Sequence, residues 1–263
     1  MTRFFIIIIA GLCIIGCKLD QEEMIPAYIH IPSVEVNTAA GEGANTHKIT
    51  DVWVYANDNL LGAFPIPATV PILENGDTKI EIFPGIKDNG INSTPELYPM
   101  LQTVIQTVNL QPSEIDTLIP AFVYKSNVNF EFVENFENTI IFTFDEDGNV
   151  STVLNPSSEE ARTGLRSGKI ELNATNNFIE VGNDQRISGL PTNGSPVYLE
   201  LDYKNTMEFS IGLIGYDPLI GDPSQLIITL REREDWNKVY INLTEQLQLS
   251  QFDEYRIFFS AFL

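Results

Sequence analysis

The sequence has only two cysteines, Cys13 and Cys17, and both lie close to its amino terminus. The chain that follows Cys17 therefore has no thiol for a disulfide bond or for a cysteine-ligated metal. Histidine is equally scarce, because His30 and His47 are the only two. Neither has a cysteine or a second histidine at the spacing of a zinc site, so we expect no metal centre of that kind.

Basic residues are also few. Lysine and arginine together number 15 against 36 aspartates and glutamates, which gives a net charge of -21. Binding to a nucleic-acid backbone depends on neutralising phosphates with lysine and arginine, so this charge balance excludes nucleic acid as a partner. Hydrophobic residues make up 43% of the chain, which is enough to form packed cores and too many for a disordered protein.

Catalytic signatures are missing from the sequence. It has no Gly-x-Ser-x-Gly nucleophile motif and no phosphate-binding loop. A glycosidase needs only two carboxylates at the right separation, but with 36 acidic residues that requirement singles out no pair. We therefore expect a protein that is not an enzyme and that needs no cofactor.

A single long apolar run, 4–16, follows Arg3 near the amino terminus. It is shorter than the roughly 20 apolar residues that span a membrane, and its flanks are typical of a secretory signal. The segment Ile14-Ile15-Gly16-Cys17 that ends it resembles a bacterial lipobox. That resemblance implies that residues 1–16 are a signal peptide and that cleavage occurs before Cys17. It also implies lipidation at Cys17, whose acyl chains would anchor the mature protein in the membrane.

Residues 17–26 are predicted to form a lipidated acidic tether. Within it, the segment 18–23 (KLDQEE) resembles the lysine-plus-acidic export signal of Bacteroidetes surface lipoproteins. The resemblance implies a position on the outer membrane, exposed at the cell surface. A solvated, flexible leash would explain the same charges, and this alternative stays open.

Short strands dominate the pattern from Tyr28 onward. Apolar residues alternate with other residues in segments such as Val52–Tyr55 and Lys79–Ile82, and turn-forming residues separate these segments. No long helical period is present. These features predict an all-β protein built from β-sandwiches. A shift in composition near Ser126 divides it into two tandem β-sandwich domains, 27–126 and 127–263.

Both domains resemble known modules. In the first, the order of Val52–Asn57, Gly62, Pro67, Gly76 and Lys79–Ile82 resembles PEGA-type, prealbumin-like sandwiches, although an immunoglobulin-like sandwich would give a similar spacing. Either resemblance implies a spacer or an interaction module.

The second domain resembles galactose-binding-like jelly rolls, which occur in carbohydrate-binding modules and adhesins. The segments that carry this resemblance are 160–172, 197–203, 236–243 and 255–259. The resemblance implies that residues 127–263 form a jelly-roll sandwich.

Two acidic segments of the second domain have the oxygen ligands that calcium prefers. Asp145, Glu146, Asp147 and Asn149 surround Gly148, and Asp217 and Asp222 flank a second loop. A structural calcium ion is one explanation. The preferred one is a type I′ hairpin at Asp147-Gly148, joining strands at 140–144 and 150–153, with Asp217 and Asp222 as turn formers.

The best candidate for a binding surface lies on the strand near residue 240. Strict alternation places Trp236, Lys238, Tyr240 and Asn242 on one face, opposite a core-facing set of Asn237, Val239, Ile241 and Leu243. If the strand at 197–203 is a neighbour, its outward residues Tyr198, Glu200 and Asp202 extend the same surface. Aromatic rings beside hydrogen-bonding groups recognise sugars. The alternative is that Trp236 caps the sandwich edge and Tyr240 covers the core from outside.

These observations predict a non-catalytic surface lipoprotein of the outer membrane, attached through its lipid anchor. Its second sandwich is expected to bind a glycan or another surface partner. The alternative is a structural or accessory subunit of an outer-membrane assembly, with protein partners only.

Overall fold

The computed structural model describes residues 23–263 except Asn92, Thr94 and Ile220, so the predicted signal peptide and Cys17 lie outside the described residues. The prediction of an all-β protein is confirmed. Up to residue 122 the strands are β1 (Ala27–Ile31), β2 (Glu35–Val36), β3 (Asp51–Ala56), β4 (Asn59–Pro65), β5 (Ala68–Ile72), β6 (Gly76–Lys87), β7 (Pro95–Leu97), β8 (Val104–Leu110), β9 (Ile115–Thr117) and β10 (Ala121–Phe122).

Ten further strands follow, with a single helix among the described residues. The strands are β11 (Phe144–Asp145), β12 (Leu154–Ser157), β13 (Ser167–Ile170), β14 (Phe178–Gly182), β15 (Ile187–Ser188), β16 (Tyr198–Asn205), β17 (Phe209–Gly215), β18 (Ser224–Leu230), β19 (Arg233–Asn242) and β20 (Glu254–Phe262). The helix, α1 (Thr244–Ser250), lies between β19 and β20.

The N-terminal sandwich packs two sheets face to face. One has the order β4-β3-β6-β7, with β8 also paired to β6, and the other has the order β5-β1-β9. Alternation sends Val52 and Val54 of β3 into the core, where they meet Ile29 of β1 and Val70 of β5. The stretch 64–72 contains Pro65, Pro67 and Pro71, and a proline cannot donate a hydrogen bond to a neighbouring strand. Accordingly β5, which contains Pro71, is an edge strand.

The C-terminal sandwich packs a large antiparallel sheet against a small one. The large sheet has the order β11-β14-β20-β17-β18, with β15 also paired to β20, and the small sheet is the pair β16-β19. Ile257 and Phe259 of β20 share one buried cluster with Val239 and Ile241 of β19. The inward faces of the two sheets therefore form a second core.

The two cores draw on different parts of the chain. Apart from Tyr240, the buried residues of the first cluster lie between Ala27 and Tyr124, and those of the second lie between Phe142 and Ala261. Phe130 packs against the first cluster and Phe132 against the second. The chain therefore passes from the first core to the second between Phe130 and Phe132, a few residues after the shift in composition near Ser126.

The N-terminal sandwich has two distinct ends, and the chain enters it at one of them. At this near end, the amide of Ser113 donates to the carbonyl of Pro26 at 2.9 Å, and Ala27 pairs with Ile72 just before β6 begins. The far end is where β6 finishes at Lys87 and β3 begins at Asp51. A strand rises about 3.3 Å per residue, so the 12 residues of β6 separate the two ends by roughly 40 Å.

Two local predictions in the second half were wrong. Residues 150–153 form no strand, and β11 pairs with β14 rather than across an Asp147-Gly148 hairpin. The side chain of Asp147 connects this turn to β14 instead of closing a hairpin. One of its oxygens accepts a hydrogen bond from the amide of Asn149, and the other accepts one from the amide of Glu180 in β14. In addition, β13 pairs only with β12 and stays outside the main sheets.

Candidate functional site

Strands β16 and β19 are antiparallel neighbours, as the predicted surface requires. Their register places Tyr198 opposite Asn242, Glu200 opposite Tyr240 and Asp202 opposite Lys238. Side chains directly opposite each other in a sheet point to the same face. The six residues therefore share one face, while Val239 and Ile241 face the second core as expected.

That face is not open to solvent, so the expectation of an exposed binding surface there is wrong. Tyr240 and Lys238 are only 3% and 7% exposed, and Tyr240 belongs to the core of the N-terminal sandwich. The ring of Tyr98 lies 4.6 Å from that of Tyr240 and 5.2 Å from that of Tyr198. The far end of the N-terminal sandwich covers the outer face of β16 and β19.

Glu200 lies at the centre of this contact. Its Oε1 accepts hydrogen bonds from the hydroxyls of Tyr98 and Tyr124, both on the N-terminal sandwich. Its Oε2 lies 2.7 Å from Nζ of Lys238, whose side chain is 6% exposed. A buried ammonium needs a paired carboxylate, so Glu200 both neutralises Lys238 and links the two sandwiches.

Further hydrogen bonds surround this centre. Thr46 donates its hydroxyl to Asp202 Oδ2 at 2.6 Å, and the side-chain amide of Asn242 donates to Asp88 Oδ2 at 2.9 Å. The two halves also pair through the main chain, where the amide of Asn89 donates to the carbonyl of Tyr240 at 2.9 Å. We call this contact the junction; it comprises Thr46, Lys48, Asp88, Asn89, Tyr98, Tyr124, Tyr198, Glu200, Asp202, Lys238, Tyr240 and Asn242.

Trp236, the remaining member of the predicted surface, is half-buried and lies where the register between β16 and β19 shifts, so strict alternation does not place it on the face of Lys238 and Tyr240. Tyr98 and Tyr124, by contrast, are junction residues that the sequence reasoning missed. Both lie in short irregular segments beside β7 and β10, where no alternation marks them.

The junction tyrosines make stability dependent on alkaline pH. Burial, and then the charge of Glu200, raises the pKa of Tyr98, Tyr124 and Tyr240 well above the ordinary value near 10. Above pH 10 the unfolded chain loses protons that the folded chain keeps. The contribution of these tyrosines to the free energy of unfolding is therefore complete below pH 10 and decreases as the pH rises further.

We expect the free energy of unfolding to fall above pH 10 by up to about 1.4 kcal/mol per pH unit for each tyrosine that stays protonated. Denaturant titrations between pH 8 and 11 measure this slope. Tyr98→Phe should make the slope shallower, because one of these protons is removed. An ultraviolet titration in which all nine tyrosines ionise near pH 10 would contradict the assignment.

His47 adds a weaker dependence on acidic pH. Burial lowers the pKa of this imidazole, and the positive charge of Lys238 lowers it further. The folded protein therefore keeps His47 neutral at pH values where the unfolded chain protonates it. The contribution of His47 to the free energy of unfolding is complete above pH 6.5 and is lost as the pH falls.

The acidic turn near residue 147 does not have the geometry of an open metal site. Asp145 Oδ1 accepts from the amide of Gly148, and both oxygens of Asp147 accept from main-chain amides. In the other loop, Asp217 Oδ1 accepts from the amide of Leu219. Across the part of the chain that the structure describes, no three histidine, cysteine, aspartate or glutamate side chains converge on a metal position.

A shallow concavity of about 390 Å³ lies beside the β12-β13 pair. Lys169 occupies part of it and bridges Glu159 and Glu171 at 2.6 and 2.9 Å. Its other lining residues are Ser151, Val153, Asn155, Pro156, Ser157 and Asn173. With its one cation already paired and no aromatic side chain among the lining residues, the concavity offers little to hold a ligand.

No protein-family model and no curated protein sequence matches this chain. Among the helices of the described residues, none has the length and apolar character needed to cross a membrane.

Proposed function

We propose that this chain is a non-catalytic, lipid-anchored protein of the outer membrane whose N-terminal sandwich is a rigid spacer. The spacer holds the C-terminal sandwich away from the lipid and presents it to a surface partner. This proposal favours the structural hypothesis over glycan binding on the outer face of β19, because the N-terminal half already occupies that face.

The observation that carries the proposal is the placement of the two ends of the N-terminal sandwich. The chain arrives from Cys17 at the near end, and the junction is at the far end, roughly 40 Å away. Only five residues separate Cys17 from Glu23, the first that the structure describes, so the near end stays close to the anchor. The C-terminal sandwich then lies beyond the far end.

A distance measurement on the anchored protein tests this arrangement. A cysteine introduced for labelling is specific, because lipidation consumes the thiol of Cys17. In liposomes, a donor at Leu73→Cys on the near end should transfer energy strongly to an acceptor in the lipid headgroups. The same donor at Leu226→Cys should transfer little, because Leu226 lies on the outer face of the large sheet, opposite the junction.

The matched control is the same pair of labels in a chain that begins after Cys17, which has neither the lipid nor the apolar segment 4–16 and should not attach to liposomes. Equal transfer from both positions in the anchored protein would mean that it lies flat on the membrane. That result would reject the spacer role.

A further inference from the structure

The outer face of the sheet β4-β3-β6-β8 carries a row of aromatic and aliphatic side chains. Across the strands, Trp53 of β3 lies between Ala63 of β4 and Phe83 of β6. In the next row, Tyr55 lies between Leu60 and Glu81, and Glu81 is in turn opposite Ile105 of β8. We call this surface the lateral patch; it comprises Trp53, Tyr55, Leu60, Ala63, Phe83 and Ile105.

The lateral patch cannot belong to the core of the sandwich. The residues that alternate with it, Val52, Val54 and Ile82, fill that core and fix the direction in which the patch points. Leu60 and Ile105 are 50% and 59% exposed, and the three aromatic residues are half-buried. Contiguous apolar surface of this kind marks a binding site on a monomeric protein.

The charges around the patch disfavour an acidic occupant. The cation at its rim, Lys79, is already neutralised by Asp58 at 2.6 Å and by Glu81 at 2.7 Å. The chain as a whole carries a charge of -21, which repels an acidic ligand, an anionic lipid surface and a second copy of itself. An occupant that adds no charge meets none of this repulsion.

We propose that the lateral patch binds a neutral polysaccharide chain. The rings of Trp53, Tyr55 and Phe83 cover the apolar C–H faces of successive sugars, while the hydroxyl of Tyr55 and the carboxylate of Glu81 bind sugar hydroxyls. The rings of Tyr55 and Phe83 are 5.2 Å apart and inclined at 53°. Such a surface fits a twisted single chain rather than the flat face of a crystal. This site is separate from the junction and independent of the spacer role.

Affinity electrophoresis of the detergent-solubilised, lipidated protein tests the proposal. The gels contain a soluble neutral β-glucan, mannan or xylan, with alginate as the acidic comparison. At least one neutral polysaccharide should retard the protein, and added salt should leave the retardation unchanged. Trp53→Ala and Phe83→Ala should each weaken binding by roughly tenfold, since one aromatic stacking contact contributes about that factor.

Two variants keep the test decisive if an alanine variant unfolds. Trp53→Phe retains a ring face and removes an indole nitrogen that is buried without a hydrogen-bond partner among the described residues, so folding and most of the binding should survive. Phe262→Ala removes a ring that is 68% exposed on the C-terminal sandwich, and it should bind as the parent does.

Three results would overturn the proposal. The first is a parent protein that none of the neutral polysaccharides retards. The second is retardation that Trp53→Ala leaves intact while the protein stays folded. The third is a dimer in analytical ultracentrifugation that Trp53→Ala converts to a monomer, because the patch would then hold a second copy of the chain.

Discussion

Replacing Glu200 with alanine should lower the free energy of unfolding by about 3–5 kcal/mol, because it leaves a buried ammonium without its partner. Lys238 would keep a 3.4 Å contact with the hydroxyl of Thr46 and a contact with the ring of Tyr240, whose centroid is 5.8 Å from Nζ. The hydroxyls of Tyr98 and Tyr124 would lose their common acceptor at the same time. Chemical denaturation of the full chain measures the loss.

The shape of the transition is as informative as its midpoint. The parent should unfold in one step, because the junction couples two otherwise separate cores, whereas Glu200→Ala should unfold in two. Glu234→Ala is the matched control, since this exposed glutamate lies on β19 outside the junction and its loss should change stability by less than about 0.5 kcal/mol. A single transition at the parental midpoint in Glu200→Ala would show that the junction contributes little.

Tyr240→Ala should cost about 3–5 kcal/mol, as expected for removing a fully packed aromatic side chain. Tyr240 is 3% exposed, and its ring packs on Tyr98 at 4.6 Å. The hydroxyl accepts a 3.1 Å hydrogen bond from the amide of Lys48. Tyr240→Phe should therefore cost far less, about 1 kcal/mol.

The pair of Tyr240 variants separates packing from hydrogen bonding when thermal melts are compared under the same conditions. An exposed, ligand-stacking tyrosine would give nearly parental melts for both variants. That outcome would contradict the buried position of Tyr240 and restore the glycan-binding interpretation of this strand.

Much of the fold follows from period-two alternation. Val52 and Val54 of β3, and Val239 and Ile241 of β19, point into the cores because alternate residues of a strand face opposite sides. Turn-forming residues such as Asn57-Asp58 and Asp88-Asn89-Gly90 do lie at strand ends, but Pro84-Gly85, which also predicts a turn, lies within β6 and does not interrupt it. The short elements were less predictable: β11 pairs with a strand more than thirty residues away in sequence, so no local pattern reveals its partner.

The candidate surface shows where alternation stops being informative. The pattern correctly separated Tyr240 from Val239, but it does not say whether the second face meets water or another part of the chain. A tyrosine suits both settings, since its ring packs and its hydroxyl finds a hydrogen-bond partner. The partners that decided the matter, Tyr98 and Tyr124, lie far from Glu200 in sequence.

The position of β1 has a mechanical consequence. The tether joins this strand directly, and β1 runs in the middle of its sheet, with five residue pairs to β5 and three to β9. In the proposed arrangement, a force between the lipid anchor and the C-terminal sandwich would pull β1 along its own axis, whereas its inter-strand hydrogen bonds lie across that axis. The bonds to both neighbours would then be loaded together in shear and could not open one at a time, so the proposed attachment would resist extraction by a pulling force.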